Sequence, residues 1–285
     1  MLRTRIAGTV VLAALALTAS AGAHQAATPT RIISLSPSST EDLFAIGAGK
    51  QVVAVDDQSN YPASAPHTKL SGYTPNVEAI AAYHPDLVVV SADLGGVVGA
   101  LGKLKIPVLV DPPASGLAGA YAQIAQLGKV TGHEAGAATV ITRMKSRIAQ
   151  AVASVPKGSH LTFYEELSPD YYSVTSKTFG GKALALLGLH DIADPADKSG
   201  SGYPQLSGEY IVAQDPDLIV LADTRCCGQT AATVAARPGW NTISAVKSGG
   251  VIAVSDDIAS RWGPRIADFL TAVAAGVRKA DAAKG

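Results

Sequence analysis

The chain has 285 residues, with 23 basic and 23 acidic side chains and therefore no net formal charge. This balance excludes the basic excess with which proteins typically bind nucleic acid or an anionic membrane surface. The length is sufficient for two compact lobes or for one large domain.

The N-terminus has the pattern of an export signal. Arg3 and Arg5 precede an apolar run from Ile6 to Leu17, and small residues follow this run. The run is too short to remain as a membrane anchor, so we expect a cleaved signal peptide over residues 1–23. No cysteine for lipid attachment stands near the cleavage region. The mature protein is therefore predicted in the periplasm or another extracytoplasmic space.

Strands and helices alternate along the rest of the chain. The first half reads as strand RIISL, helix STEDLFAIGAG, and strands QVVAV, DLVVV and IPVLV. The second half reads as strand HLTFYEEL, helix GGKALALLGL, strands DLIVL and VIAVS, and a final helix from about Pro264. Continuous apolar strands that alternate with helices are typical of parallel sheets covered on both faces. We predict an N-terminal α/β lobe over 30–116 and a C-terminal α/β lobe over 157–285.

Between these lobes, residues 117–156 form a helical connecting segment. From His133 to Val155 the chain has no proline, and only Gly136 interrupts the helical pattern. Apolar residues recur at spacings of three and four, at Ala137, Val140, Ile141, Met144, Ile148 and Val152. This spacing predicts one long helix that joins the lobes as a stiff connection, with a ligand cleft between them.

One unit of sequence occurs twice. SGYTPNVEAIAAYHPDLVVV begins at Ser71, and SGYPQLSGEYIVAQDPDLIVL begins at Ser201. Aligned at Glu78 and Glu209, both copies read as a loop, a short helix, a Pro-Asp turn and a buried strand. Asn76 and Ser207 are the predicted helix caps. The two lobes are therefore pseudo-repeats.

The sequence contains no catalytic spacing, phosphate-binding loop or dinucleotide fingerprint. Its six histidines are scattered rather than grouped as metal ligands. Polar residues gather instead after the strands, where open α/β sheets bind ligands. We predict a binding protein without catalytic activity, resident cofactor or metal.

The segments RIISLSPSSTEDLFAIGAGKQVVAVDDQSNYP, VEAIAAYHPDLVVV and SRWGPRI together resemble one known family. This is the helical-backbone class (class III) of periplasmic substrate-binding proteins, which serve ABC importers of vitamin B12, ferric siderophores and haem. The resemblance covers nearly all of the mature chain and is strongest to the vitamin B12 binders. It implies a monomer that delivers a corrinoid to an importer, with a ferric siderophore or haem as the alternative ligand.

The resemblance also implies functional residues. Tyrosine faces and an arginine would hold the ligand in the cleft. The predicted ligand-binding residues are Ser36, Tyr61, Tyr73, Tyr164, Tyr203, Arg261 and Trp262. Glu78 and Glu209, one on each lobe, would dock onto a two-fold symmetric permease. The structural alternative is that each glutamate only stabilises the first turn of its helix through the helix dipole.

Cys226 and Cys227 are the only cysteines, and they are neighbours. They follow the strand DLIVL, so we expect them at the rim of the cleft. A vicinal disulfide that stiffens a loop, an apolar contact for the ligand, and a soft-metal or redox-active pair all fit the sequence. A redox-active cysteine pair would make the chain a thiol-redox protein, which is a second hypothesis for its function.

Overall fold

Two four-stranded parallel sheets form the framework of the computed structural model, which describes residues 27–284. The signal peptide predicted over residues 1–23 lies outside the described residues. The strands run in the orders β2-β1-β3-β4 and β6-β5-β7-β8. The strands are β1 Ile32–Leu35, β2 Val52–Val55, β3 Leu87–Val90, β4 Val108–Val110, β5 Thr162–Glu166, β6 His190–Asp191, β7 Leu218–Leu221 and β8 Val251–Ala253.

Helices follow the strands in both halves, as the alternation in the sequence predicts. The helices are α1 Pro37–Ala45, α2 Val77–Ala81, α3 Val97–Lys103, α4 Leu117–Thr131, α5 Glu134–Ala153, α6 Phe179–Ala185, α7 Gly208–Gln214, α8 Thr224–Cys227, α9 Ala231–Ala235, α10 Ser244–Ser248, α11 Asp256–Ser260 and α12 Ile266–Ala282. None of the helices within residues 27–284 has both the length and the apolar character to cross a bilayer.

The interior strands are apolar because helices cover both faces of each sheet. Every residue of β1, β3 and β7 is buried, as continuous apolar runs in parallel sheets require. The two sheets have the same strand order when each is numbered within its own half. The predicted fold class, two pseudo-repeated α/β lobes with parallel sheets, is confirmed.

The long helix predicted from the apolar spacing is α5. Its buried face consists of Ala137, Val140, Met144, Ile148 and Ala151. A separate helix, α4, precedes it and packs along it. Gly132 separates the two helices, because its left-handed backbone (φ +74°) ends α4.

Gly136 is the one interruption in the helical pattern of α5, and packing explains it. The backbone of α5 passes so close to α1 that a Cβ atom at Gly136 would lie 2.0 Å from the carbonyl oxygen of Ile46. Only glycine permits this approach. Gly136 weakens the helix locally, but it allows α5 to pack directly against the N-terminal lobe.

A single apolar cluster runs through both lobes. It includes Ile32 and Leu43 of the N-terminal lobe, the buried face of α5, and Leu218 and Phe269 of the C-terminal lobe. The helix α5 packs against both α1 and α12. Because the cluster has no break at the lobe boundary, the two lobes share one core.

We expect Met144→Ala to lower the free energy of unfolding by about 2–5 kcal/mol, because it leaves a cavity at the centre of this shared core. Thermal unfolding followed by circular dichroism at separate wavelengths should still show one transition for both lobes, at a lower temperature. Thr139→Ala, on the exposed face of α5, is the matched control and should change the midpoint little. Two separate transitions in the wild-type protein would contradict a shared core.

Candidate functional site: the cleft between the lobes

A cavity of about 250 Å³ lies between the two lobes and is called the cleft cavity below. The residues at the carboxyl ends of β1, β2 and β3 form its N-terminal wall, and the segment from Asp257 to Trp262 forms its C-terminal wall. The carboxyl ends of parallel strands are where open α/β sheets bind ligands. The cavity therefore occupies the position at which a ligand site is expected in this fold.

The structure brings four predicted ligand residues together around this cavity, namely Ser36, Tyr73, Arg261 and Trp262. Ser36 is buried, and its hydroxyl caps α1 by accepting the backbone N–H of Ser39 at 3.4 Å. Tyr73 is 77% exposed and offers a free aromatic face. The indole Nε1–H of Trp262 is buried without an acceptor among residues 27–284.

Arg261 is also buried, and the protein itself uses its guanidinium donors. Nη1 donates to Glu41 at 2.8 Å and to Asn60 at 3.0 Å. Nη2 donates to the backbone carbonyl of Gln58 at 2.9 Å and to Asp257 at 2.8 Å. Arg261 thus lines the cleft cavity while its terminal nitrogens are bound to protein acceptors.

Tyr61 is placed elsewhere. It lines a second cavity of about 500 Å³, called the junction cavity below, together with Glu41 and residues of α5 and α12. The guanidinium of Arg265 lies over the Tyr61 ring, 4.2 Å from its centre. The structure therefore does not bring Tyr61 into the cleft cavity.

The prediction of a ligand contact by Tyr164 is corrected by the structure. The side chain is 0% exposed and packs edge-on against the buried Trp240 at 6.2 Å between ring centres. Its hydroxyl donates to Glu166 at 3.3 Å. Tyr164 points into the core between β5 and the helices that cover it, so it presents no surface to a ligand.

Tyr203 and Tyr73 occupy equivalent places in the two repeats. The backbone N–H of Tyr73 donates to the Ser71 hydroxyl at 3.2 Å, and that of Tyr203 donates to the Ser201 hydroxyl at 3.1 Å. Tyr203 is 53% exposed but does not line the cleft cavity. The repeat of sequence is thus a repeat of local structure.

Glu78 and Glu209 are equivalent as well. Each is the second residue of its helix, α2 or α7, and each side chain is exposed. The caps are Asn76, which accepts the N–H of Ala79 at 2.9 Å, and Ser207, which accepts that of Tyr210 at 3.1 Å. Neither glutamate forms a salt bridge with another side chain of the described chain. Both carboxylates are available to a partner.

Cys226 and Cys227 are bonded to each other as a vicinal disulfide, with their Cα atoms 3.8 Å apart. They end the short helix α8, and both are exposed. The carboxylate of Asp256 holds this turn by accepting the backbone N–H groups of Arg225 at 2.9 Å and Cys226 at 2.8 Å. Arg225 in turn pairs with Asp257, which lines the cleft cavity.

Buried carboxyl groups at the carboxyl end of the C-terminal sheet were missed by sequence reasoning. Burial is the main reason that the pKa of Glu165 is raised to about 8, and the nearby negative charge of Asp191 adds to this shift. Burial also raises the pKa of Asp191 to about 8. The sequence signal was the YEEL segment at the end of β5, but the partner Asp191 comes from a different strand.

A second buried group contains Glu166, Asp223 and Arg237. Arg237 binds Glu166 through two hydrogen bonds of 2.5 and 2.6 Å. Burial and the charge of Glu166 raise the pKa of Asp223 to about 7. Across residues 27–284, no group of three histidine, cysteine or acidic side chains is arranged to hold a metal ion.

We expect Glu165→Gln to stabilise the protein at high pH. The folded protein holds this proton up to a pKa of about 8, whereas the ordinary pKa of a glutamate is 4.5. Ionisation therefore increasingly opposes folding as the pH rises between these values, and the variant escapes that penalty, by up to about 5 kcal/mol.

Urea unfolding at about pH 5 and about pH 8.5 measures this difference. The gain should be small at the lower pH and large at the higher one. Asp170→Asn, which removes an exposed carboxyl, is the control and should give no pH-dependent gain. An equal effect of Glu165→Gln at both pH values would contradict the raised pKa.

Comparisons with known proteins agree with this architecture. A family model described as "Periplasmic binding protein" matches residues 32–258. The chain is 32% identical to the uncharacterised ABC transporter substrate-binding lipoprotein YvrC of Bacillus subtilis, over 84% of this chain and 76% of that protein. It is 31% identical to a cobalamin-binding protein of Halobacterium salinarum, over 86% of this chain and 69% of that protein.

A solved structure shares the fold at lower identity. The periplasmic haem-binding protein HutB of Vibrio cholerae superimposes with a TM-score of 0.75, over 86% of this chain and 98% of that chain. Its sequence is 22% identical to this one, so the likeness concerns the fold alone.

Proposed function

Because the chain belongs to the periplasmic binding protein family, which binds solutes for ABC importers, we propose that it carries a corrinoid such as vitamin B12 to its importer. It acts outside the cytoplasm after export by a cleaved signal peptide. It binds its ligand without catalysing a reaction. The observation that carries the proposal is the cleft cavity, where four predicted ligand residues converge between two lobes of this fold.

The chemistry of the cavity suits a large ligand that is both apolar and polar. The exposed face of Tyr73 offers flat contact area to a macrocycle. The polar residues at the strand ends that line the cavity offer hydrogen bonds to peripheral amides of a corrin. A corrinoid is larger than 250 Å³, so it would extend from the cavity onto the exposed Tyr73. The cobalamin-binding relative supports this choice among the family's ligands.

Visible absorbance after gel filtration tests the proposal. We expect cyanocobalamin mixed with the mature protein to elute with it, at one ligand per chain. Tyr73→Ala should weaken binding by about tenfold, because an aromatic contact is lost at the mouth of the cavity. Tyr172→Ala is the control, since Tyr172 is also exposed but does not line the cavity. A lack of co-elution would reject the corrinoid.

Haem or a ferric siderophore is the second candidate, and the exposed tyrosines favour testing it. A phenolate oxygen can ligate haem iron, and Tyr73 and Tyr203 both expose most of their side chains. Retention of haemin or of a ferric hydroxamate instead of cobalamin would establish this alternative.

Whichever ligand is bound, Cys226→Ser with Cys227→Ser should leave the affinity for that ligand within a few fold. Complete loss of function in that double variant would favour the thiol-redox hypothesis.

We propose further that Glu78 and Glu209 dock the protein onto two equivalent sites of a two-fold symmetric permease. The supporting observation is that both carboxylates are exposed, unpaired among the described residues, and identically placed in the two repeats. A purely local role through the helix dipole would need no such correspondence between the lobes.

We expect Glu78→Arg with Glu209→Arg to abolish cobalamin uptake while cobalamin affinity stays within about twofold, because the like charges would repel basic sites on the permease. Uptake is measured in cells whose own copy of this chain is replaced by the variant. Glu134→Arg is the matched control, since Glu134 is an exposed first-turn glutamate of α5 that has no counterpart in the repeat. Normal uptake by the double variant would reject docking.

A further inference from the structure

Glu41 of the N-terminal lobe is a buried carboxylate whose partners come from the other lobe. Its side chain is 1% exposed. Its Oε1 accepts from Arg261 Nη1 at 2.8 Å and from Arg265 Nη2 at 2.5 Å, and its Oε2 accepts from Arg265 Nε at 2.8 Å. Glu41 is on α1, whereas the two arginines lie between α11 and α12. The ion pairs therefore cross the gap between the lobes.

More hydrogen bonds cross the gap at the same place. Arg261 also donates to Asn60 and to the carbonyl oxygen of Gln58, both in the loop after β2. In return, the amide of Asn60 donates to Asp257 at 3.1 Å. The six side chains and backbone groups of Glu41, Gln58, Asn60, Asp257, Arg261 and Arg265 are called the inter-lobe clamp below.

The charges of the inter-lobe clamp balance. Glu41 and Asp257 carry two negative charges, and Arg261 and Arg265 carry two positive charges. Buried charges are tolerated only when they are paired and hydrogen-bonded. Separation of the lobes would strip Glu41 of both its partners at once. With the lobes placed as in this structure, every charged group of the clamp has a partner of opposite charge.

The clamp lies between the two cavities of the lobe boundary. Asp257 and Arg261 line the cleft cavity, whereas Glu41 and Arg265 line the junction cavity. Arg143, Met144 and Arg147 of α5 also line the junction cavity. The clamp and the helix that packs against both lobes thus meet at the same cavity.

From this geometry we propose that the inter-lobe clamp fixes the width of the cleft, and that Glu41, Arg265 and Arg261 are positioning residues for ligand binding. Arg261 acts by holding the walls in place, since its four terminal N–H donors are bound to protein acceptors. A single helix alone would leave the lobes able to tilt about it, and the second connection removes this freedom. The effect on ligand binding rests on the proposed function, but the effect on the ligand-free protein does not.

The test compares Glu41→Gln with the wild-type protein. The substitution keeps the shape of the side chain and removes the charge that both arginines bind. In the ligand-free protein, hydrogen exchange of the backbone around Gln58 and Asn60 should accelerate by about tenfold or more. Small-angle scattering should show a larger radius of gyration. Dissociation of cyanocobalamin in stopped flow should accelerate by about tenfold, because the cavity walls are no longer held at their spacing.

Two further variants make the test decisive. Glu166→Gln is the matched control, since it removes the carboxylate of another buried arginine pair, Glu166–Arg237, whose two members both belong to the C-terminal lobe. Asn60→Ala removes two clamp hydrogen bonds from an exposed residue. Asn60→Ala should change the hydrogen exchange, the scattering and the dissociation rate in the same direction as Glu41→Gln, but by a smaller factor. It is used in place of Glu41→Gln if that variant does not fold.

A general loss of stability would lower the fraction of binding-competent protein without changing the dissociation rate of the competent molecules. If folded Glu41→Gln, or Asn60→Ala in its place, matches Glu166→Gln in exchange, scattering and dissociation rate, the proposal is wrong. If wild-type protein does not retain cyanocobalamin, the corrinoid assignment fails. Exchange and scattering of the ligand-free variants then still decide whether the clamp holds the lobes together.

Discussion

The packing of α5 against both lobes is the constraint on which the other features depend. The apolar face of this helix joins the cores of the two sheets into one cluster. Opening the lobes around α5 would expose part of that cluster to water, at a cost of about 25 cal/mol for each Å² of apolar surface. Gly136 brings the helix against the backbone of Ile46 at the C-terminal end of α1, so the same contact also holds α1 in place. The N-terminus of α1 carries Ser36, and the middle of α1 carries Glu41. The position of the helix thus determines the geometry of the cleft.

A shared core leaves the polar groups of the cleft in a protein environment of low polarity. Buried carboxyl groups must then be paired, as Glu41 and Glu166 are with arginines, or must hold a proton, as the raised pKa values of Glu165 and Asp191 indicate. Glu165, Glu166 and Asp191 lie at the carboxyl ends of β5 and β6, whereas Glu41 lies on α1 at the boundary between the lobes.

The periodicity of the sequence was sufficient to predict α5, the alternation of strands and helices, and the repeat around Glu78 and Glu209. These features depend on residues that are close together along the chain. Tyr164 was misplaced because β5 is buried on both faces from Phe163 to Glu166, and its sequence TFYEE does not reveal which face looks toward the cleft. Arg261 was placed correctly at the cavity, but its partners Glu41 and Asn60 are about 200 residues away. Only the structure shows that these partners already use its terminal donors.

The proposed docking role of the repeat requires a rigid molecule. Two carboxylates can match two equivalent sites on a symmetric partner only if their separation is constant, since a variable distance would cost conformational entropy at each docking event. Here α2 and α7 belong to different lobes, and their separation is set by whatever holds the lobes together. The apolar packing of α5 provides one such connection, and the proposed clamp would provide a second. On this view the same contacts determine the width of the cleft and the distance between Glu78 and Glu209.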